Sequence, residues 1–216
     1  MPPRIARKVE RFFNAYPLKS YDKGQFLVLA DEDPKHIFYL LRGQVREYDI
    51  SHRGDEVVVN VFKPLAFFPM SWAINKTPNR YFFEAATSVT VRLADPDQAV
   101  EFLKANPDVM FDLLSRLYIG TDGLLRRTAH LMGGSAKSRL LFELITECRR
   151  FGERRSDGSY LITMNESEIG ARAGLSRETV SREIRELKRL NLIAVSRRGI
   201  LLTDINALEK KLGHDL

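Results

Sequence analysis

Two helix-capping signals lie only eleven residues apart near the carboxyl end of the chain, which leaves room for one short helix and a tight turn. Asn165 is followed three positions later by Glu168, a variant of the capping box that starts a helix. Gly174 then ends that helix, and Ser176 is a good N-cap for the next one. Two short helices joined by a glycine turn predict a helix-turn-helix.

The second of these helices has an apolar face and a polar face. At about 100° per residue, Val180, Ile184 and Leu187 share one side. The opposite side presents Arg177, Glu178, Ser181, Arg182 and Arg185. Arginine can bond O6 and N7 of guanine, and glutamate can accept from N4 of cytosine, so this mixture suits a helix in a DNA major groove. The alternative is an exposed helix with ion pairs such as Arg182–Glu186.

A β-hairpin is predicted directly after this helix. The segments IAVS and ILLT flank Arg197, Arg198 and Gly199, and the glycine is expected at the turn. A hairpin in this place is the wing of a winged helix. The stretch 172–198 holds eight basic and three acidic residues, which suits a polyanion such as DNA. From charge alone, a solvated basic face remains an equal alternative.

A heptad pattern covers residues 106–132. Apolar residues and threonines alternate at spacings of four and three, as expected for a dimer seam: Met110, Leu114, Leu117, Thr121, Leu124, Thr128 and Leu131. A second set, Val109, Leu113, Ile119 and Leu125, is expected to face the preceding domain, and an ordinary core helix is the alternative. Asn106 is predicted to cap this helix, Gly133-Gly134 to break it, and Ser135 to cap the next one.

The first part of the chain predicts a β domain. After a short amphipathic helix at residues 5–14, short runs rich in Val, Phe, Tyr and Leu alternate with turn residues from 21 to 93. Asp95, followed by Pro96, then predicts a helix start. The fold class is therefore α+β. We predict a sensor domain at 1–105, a dimerisation helix at 106–132 and a DNA-binding domain at 133–216.

These elements, in this order, resemble the Crp/Fnr (cyclic-AMP receptor protein and fumarate-nitrate regulator) family of bacterial transcription regulators. The resemblance is carried by SRETVSR, ESEIG, AGLS and LNLI near the carboxyl end and by HIFYLLRGQV in the β domain. It implies a β-roll like that of cyclic-nucleotide-binding domains, a long dimerisation helix and a winged helix. It also implies a homodimer on palindromic promoter DNA with TGTGA-like half-sites, or TTGAT as the alternative, and RNA polymerase as a further partner.

Residue roles follow from the same resemblance. Arg177, Glu178 and Arg182 are expected to read base edges, and Ser181 fits the E-x-x-S-R pattern of the fumarate-nitrate branch. Contacts with the DNA backbone are expected from Asn165, Ser176, Thr179, Arg185, Lys188, Arg197 and Arg198. Such backbone contacts give affinity without sequence choice.

The effector site departs from the family pattern. Where cyclic-nucleotide binders have Gly-Glu and then Arg-Ser or Arg-Thr, this chain has Phe68-Pro69 and 79–81 (Asn-Arg-Tyr), and Leu124-Leu125 replaces the polar pair of the dimer helix. Cyclic AMP is therefore not the expected effector, and the effector is unknown. The residues predicted to line a pocket are Phe68, Met70, Ser71, Arg80, Tyr81 and Leu124. No cofactor or metal is expected.

Other classes are less consistent with the sequence. A single cysteine, Cys148, cannot hold an iron–sulfur cluster and is predicted to be a buried structural thiol. No stretch is apolar enough to cross a membrane, so a cytoplasmic protein is expected. No catalytic motif is found, so we do not expect an enzyme. A β-roll module that acts on a protein partner is the remaining alternative, although such modules lack a winged helix.

Overall fold

The structure is a computed structural model that describes residues 1–52, 54 and 56–214, and the backbone alone at 214. The last two residues of the predicted DNA-binding domain lie outside this described part. The chain divides into two compact units, Met1–Ile119 and Gly120–Leu216. The division falls within one continuous helix, and the predicted limits of the three domains stay a prediction.

The first unit is built from short antiparallel strands and flanking helices, which confirms the predicted β domain. Its elements are α1 (Pro3–Phe13), β1 (Leu18–Tyr21), β2 (Phe26–Val28), β3 (Ile37–Arg42), β4 (Val45–Ile50), β5 (Glu56–Phe62), β6 (Phe67–Phe68), α2 (Met70–Asn75), β7 (Phe82–Ala85), β8 (Val89–Ala94), α3 (Pro96–Ala105) and the first part of α4 (Pro107–Gly133). The strands form two sheets, in the orders β1-β8-β3-β6 and β2-β7-β4-β5.

Strand β3 explains how this unit packs. Phe38 and Leu40 belong to a cluster between the two sheets, whereas Ile37 and Tyr39 belong to a second cluster with helical residues such as Phe13. Side chains alternate along a strand, so four consecutive buried residues require both faces of the sheet to be covered. The continuous apolar run IFYLL is the sequence signature of this position.

Helix α3 begins at the predicted cap, because the Asp95 carboxylate accepts from the backbone N–H of Gln98 at 3.0 Å. The prediction for Asn106 is only partly correct. Its carbonyl accepts the first bond of α4, from the N–H of Met110 at 3.1 Å, but its side chain donates to the carbonyl of Phe102 instead of capping α4. The side chain therefore closes α3, and the backbone opens α4.

The second unit contains the end of α4 and a small helical domain with one sheet. Its elements are α5 (Ala136–Phe151), β9 (Glu153–Arg154), β10 (Tyr160–Ile162), α6 (Glu166–Ala173), α7 (Arg177–Arg189), β11 (Ile193–Ser196), β12 (Gly199–Leu202) and α8 (Ile205–His214). The sheet order is β11-β12-β10-β9, with antiparallel pairs throughout. Apolar residues from the helices and the sheet form a single buried cluster.

The break between α4 and α5 is where the sequence predicts it. Helix α4 ends at Gly133, and a Cβ on Gly134 would lie 2.5 Å from the carbonyl oxygen of His130. Only glycine fits so close to the preceding turn. Ser135 then caps α5 by accepting from the backbone N–H of Ser138 at 3.1 Å. Cys148 is buried on α5, and burial raises the pKa of its thiol to about 11, as expected for a structural residue.

Candidate nucleic-acid interface

The helix-turn-helix is fixed by the caps that the sequence predicts. The side chain of Asn165 accepts from the N–H of Glu168 at 2.9 Å, and the carboxylate of Glu168 accepts from the N–H of Asn165 at 2.8 Å. Gly174 ends α6 in the left-handed conformation, at φ 61° and ψ 42°. Ser176 then accepts from the N–H of Thr179 at 3.3 Å and starts α7.

Helix α7 packs through its apolar face, as predicted. Val180, Ile184 and Leu187 are all buried. Burying one such side chain contributes roughly 1.5–3 kcal/mol, so these three residues hold α7 firmly in the domain. Helix α6 approaches closely, because a Cβ on Gly170 would lie 3.1 Å from Cγ2 of Val180. The opposite face of α7 is therefore presented by a rigid support.

The predicted reading residues lie on that opposite face. Arg177, Glu178 and Arg182 are exposed, and Ser181 is half-buried. Hydrogen bonds from its own backbone N–H and from the Ser176 hydroxyl lower the pKa of Glu178, so its carboxylate stays an acceptor at neutral pH. The arrangement offers bidentate donors and an ionised acceptor on one surface.

The ion pairs on this helix differ from the predicted example. Arg182 does not bond Glu186. Its Nε and Nη2 atoms lie 3.2 and 3.1 Å from the carboxylate of the adjacent Glu183. Glu186 instead accepts from Arg189 at 2.8 and 2.9 Å, and Arg185 donates to the carbonyl of Ser181 at 3.2 Å. Both Arg182 and Arg185 are thus held locally by contacts that a ligand can replace.

The wing forms as predicted, with one correction. The two-residue turn consists of Arg197 and Arg198, both exposed, and Gly199 is the first residue of the second strand, paired with Ser196. Gly199 has φ +133°, and a Cβ there would lie 2.0 Å from the carbonyl oxygen of Ile162 in β10. The glycine is needed because the hairpin lies against its neighbouring strand, which the sequence around the turn does not reveal.

A groove lies between the start of the helix-turn-helix and the wing, with a volume of about 530 Å³. Its lining includes Asn165, Ser167, Arg177, Arg197 and Arg198, together with the carboxylate-bearing Glu166. The structure therefore brings the first cap, the first residue of α7 and the wing tip together. The other residues predicted to contact the DNA backbone are exposed or half-buried: Ser176, Thr179, Arg185 and Lys188.

The predicted seam residues of α4 are all exposed in the single chain, including Leu117 at 61% and Leu124 at 52%. The full set is Met110, Leu114, Leu117, Thr121, Leu124, Thr128 and Leu131. Thr128 donates its hydroxyl to the carbonyl of Leu124 at 3.0 Å, so it presents its methyl group without an unsatisfied polar atom.

The second apolar set behaves differently from the prediction. Val109 is buried, and Leu113 packs against the same cluster in the first unit. Ile119 and Leu125 are 71% and 64% exposed. The prediction is correct for Val109 and Leu113 and wrong for Ile119 and Leu125, whose side chains are mostly exposed.

The residues predicted for an effector pocket do not share one environment. Phe68 is buried between the sheets, with its ring 4.2 Å from that of Phe62, whereas Met70 belongs to the helical cluster. Ser71, Arg80 and Tyr81 are exposed, and Leu124 belongs to the second unit. The buried neighbour of Arg80, Asn79, donates to the carbonyls of Leu29 and Tyr81 at 2.9 Å and so has a structural role.

The second unit contains a buried ionic cluster that was not predicted from the sequence. Glu143 and Glu147 of α5 are 3% and 8% exposed. They pair with Arg127 of α4 at 2.7 Å and with Arg172 of α6 at 2.8 Å. The signal that points to them is their spacing: two glutamates, one turn apart, interrupt the apolar run LLFELITEC. Acidic residues on a face this apolar need cationic partners.

Within the described residues, no group of three or more His, Cys, Asp or Glu side chains is placed to hold a metal ion. The described helices also include none with the length and apolar character needed to cross a membrane.

Comparisons with known proteins agree with the geometry. Residues 18–106 match the family described as cyclic nucleotide-binding domain, and residues 138–211 match the Crp-like helix-turn-helix domain. The global nitrogen regulator of Synechocystis sp. is 24% identical over 200 residues, which cover 90% of this chain and 88% of the relative. The fumarate and nitrate reduction regulatory protein of Escherichia coli K12 is 25% identical over 198 residues, or 91% and 78% of the two chains. The chain belongs to the Crp/Fnr family.

Solved structures share the fold of this chain. A transcriptional regulator of this family from Thermus thermophilus superposes with a TM-score of 0.73 at 23% identity, covering 92% of this chain and 98% of the other. A variant of CooA from Carboxydothermus hydrogenoformans gives a TM-score of 0.77 at 20% identity and covers 93% and 89%. The predicted family and fold class are confirmed, and this Crp/Fnr protein is a helix-turn-helix transcription regulator.

Proposed function

We propose that this regulator binds palindromic promoter DNA as a homodimer, with α7 in the major groove of each half-site. The observation that carries the proposal is the exposed face of α7, where Arg177, Glu178 and Arg182 stand opposite three buried apolar residues. Arginine and glutamate are the side chains that distinguish guanine and cytosine in that groove. Ser181 lies on the same face and is proposed as a fourth reading residue.

The remaining polar groups are proposed to hold the DNA backbone. Lys188 and the wing residues Arg197 and Arg198 are exposed cations around the reading face. The caps Asn165 and Ser176, with Thr179 and Arg185, are polar groups at the edges of the same surface. Phosphate contacts of this kind fix the register of a protein on the duplex.

Dimerisation is proposed through the seam of α4. The seam leaves five large apolar residues and two threonines exposed in a single chain, along about six turns of one helix. Two-fold symmetry then places two copies of α7 about 34–36 Å apart, one turn of DNA. The half-sites are proposed to be TGTGA-like, with TTGAT as the alternative, and RNA polymerase is proposed as the partner at the promoter.

The effector is proposed not to be cyclic AMP. The aligned position that needs a glutamate for the ribose is occupied by Phe68-Pro69, and the ring of Phe68 is buried between the sheets. Arg80 is exposed, and Leu124 cannot hydrogen-bond a base. Titration calorimetry with cyclic AMP should give no isotherm at micromolar concentration, and a clear one would contradict this proposal.

Binding selection on random duplex DNA tests the proposed function. The purified protein should enrich a palindrome whose half-site centres lie about 10 base pairs apart. The enriched sequence also separates TGTGA-like from TTGAT half-sites. Recovery of DNA without any shared sequence, or of a single non-repeated site, would show that the proposal is wrong.

A further inference from the structure

Helix α5 carries two buried carboxylates that point to different neighbours. Glu143 pairs with Arg127 of α4 through two contacts, Nε to Oε1 at 2.7 Å and Nη2 to Oε2 at 3.0 Å. Glu147, one turn later, accepts from Nη1 of Arg172, in the last turn of α6, at 2.8 Å. The contact of Nη2 of Arg127 is a hydrogen bond, whereas that of its Nε is an ion-pair contact without hydrogen-bond geometry. Helix α5 is therefore bonded to both α4 and α6.

Arg127 also contacts the helix-turn-helix. Nη2 of Arg127 lies 3.4 Å from the carbonyl oxygen of Arg172, and Nη1 of Arg139 donates to the carbonyl of Gly174 at 3.2 Å. The Arg172 carbonyl lies in the last turn of α6, and Gly174 begins the turn between α6 and α7. One arginine from α4 thus contacts the end of α6, and one arginine from α5 contacts the turn that follows it.

The charged groups of this cluster interact with one another, and burial shifts the pKa values of two of them. Burial raises the pKa of Glu143 and lowers the pKa of Arg150, whose charge interacts with Glu147, Arg172, Arg127 and Glu143. Removing one partner of a buried pair leaves an uncompensated charge, which is costly. The helices are consequently held at one mutual orientation within this unit.

The position of Arg127 on α4 connects this cluster with the seam. At about 100° per residue, Arg127 lies roughly a quarter turn from the stripe that contains Leu124 and Thr128. One turn of α4 thus presents the seam to a second copy and the guanidinium to the helix-turn-helix.

We propose that Arg127 is a positioning residue that fixes the recognition helix relative to the dimer seam and thereby sets the half-site spacing that the dimer accepts. The inference rests on the proposed function, because it needs a dimer on a palindrome. It differs from that proposal in assigning the choice of spacing, as opposed to the choice of bases, to a residue that touches no DNA.

The experiment compares the selected palindrome with a version that has one extra central base pair and with an isolated half-site. One added base pair rotates one half-site by about 34° and moves it by about 3.4 Å. If the two helix-turn-helix units of the dimer are held rigidly, the wild type should bind the lengthened palindrome on the order of 10²-fold more weakly than the selected one. The second half-site can then no longer be bound intramolecularly.

Arg127→Gln removes the ion pair with Glu143, and Arg127→Lys keeps the positive charge but not the guanidinium group. We expect the spacing penalty to fall to on the order of tenfold in Arg127→Gln, with an intermediate value in Arg127→Lys. Affinity for the isolated half-site should be unchanged. Arg126→Gln, at the exposed neighbouring position, is the matched control and should keep the wild-type penalty.

A paired variant separates positioning from folding. Arg127→Met with Glu143→Met replaces both charges, so no buried charge is left without a partner. Thermal unfolding should stay close to the wild type, while the spacing penalty falls as in Arg127→Gln. An unchanged penalty in either variant, or equal loss of affinity for all three DNAs, would overturn the inference. A wild type that prefers no palindrome would overturn the proposed function as well.

Discussion

The replacement of Arg182 by alanine tests the reading face most directly. In the free protein the guanidinium is bonded to Glu183 at 3.1 Å, with 67% of the Arg182 side chain exposed. Such an exposed pair contributes at most about 1 kcal/mol. A bidentate contact with guanine discriminates against the wrong base by about 1–3 kcal/mol. Binding replaces the contact of Arg182 with Glu183 by the contact with guanine. Arg182→Ala should therefore lose about 1–2 kcal/mol of binding free energy, which is a rise in Kd of about 5- to 30-fold.

The assay is binding selection followed by titration of the selected palindrome with each variant. Arg182→Ala should flatten the preference at one base pair of each half-site and leave the others intact. Glu183→Gln frees Arg182 from its pair and removes a negative charge near the phosphates, so it should bind at least as tightly with the same preferred sequence. The matched control is Arg149→Ala. This change removes an exposed arginine of α5 that pairs with Glu209 of α8, and the variant should bind like the wild type.

One result would refute the reasoning. If Arg182→Ala weakens binding but keeps every base preference of the wild type, then this arginine holds phosphate and does not read a base. Circular dichroism should show unchanged helix content, because Arg182 makes no buried contact.

Four further outcomes are expected. Leu117→Asp places two charges in the seam, so sedimentation velocity should show monomers, and a persistent dimer would contradict the seam. Arg198→Ala should weaken all sequences alike and reduce the slope of log affinity against log salt by about one unit; a changed base preference would exclude a backbone role. Gly199→Ala introduces a Cβ that would lie 2.0 Å from a backbone oxygen of β10, so the wing should be displaced, with a loss of several kcal/mol in unfolding free energy; a wild-type melting curve would be inconsistent with this contact. Hydrogen bonds from Lys8 and then Arg4 lower the pKa of Asp108 from 3.8 to about 2, so this carboxylate stabilises the fold above about pH 4 and loses that effect as the pH falls towards about 2. The stability difference between wild type and Asp108→Asn should shrink over that range, and a constant difference would argue against the ion pairs.

Local chemistry explains why much of the interface could be predicted from the sequence. The caps at Asn165 and Ser176 involve atoms three residues apart, and the apolar stripe of α7 depends only on helical periodicity. Each element therefore carries its own signal. The fold class followed because these signals occur in a fixed order along the chain.

The parts that were missed depend on distant contacts. The pair of Arg127 and Glu143 joins two helices, and nothing in the residues around either partner specifies the other. Gly199 looks like a turn residue, but its requirement arises from Ile162 on another strand. Helix α2 was not predicted. It begins within the aromatic run LAFFPMSW, and aromatic residues suit a strand as well as a buried helix.

At Asn165, the cap of α6, selection for a stable fold and selection for DNA binding should favour different residues. Asn165 uses its side-chain carbonyl oxygen to accept from the backbone N–H of Glu168, which leaves its NH₂ group for the proposed contact with a DNA phosphate. An aspartate would keep the acceptor and would favour the positive end of the helix dipole, while its charge would repel DNA. Mutational drift that is screened only for a stable fold should therefore tolerate or even enrich aspartate here. Selection for promoter occupancy should restore asparagine.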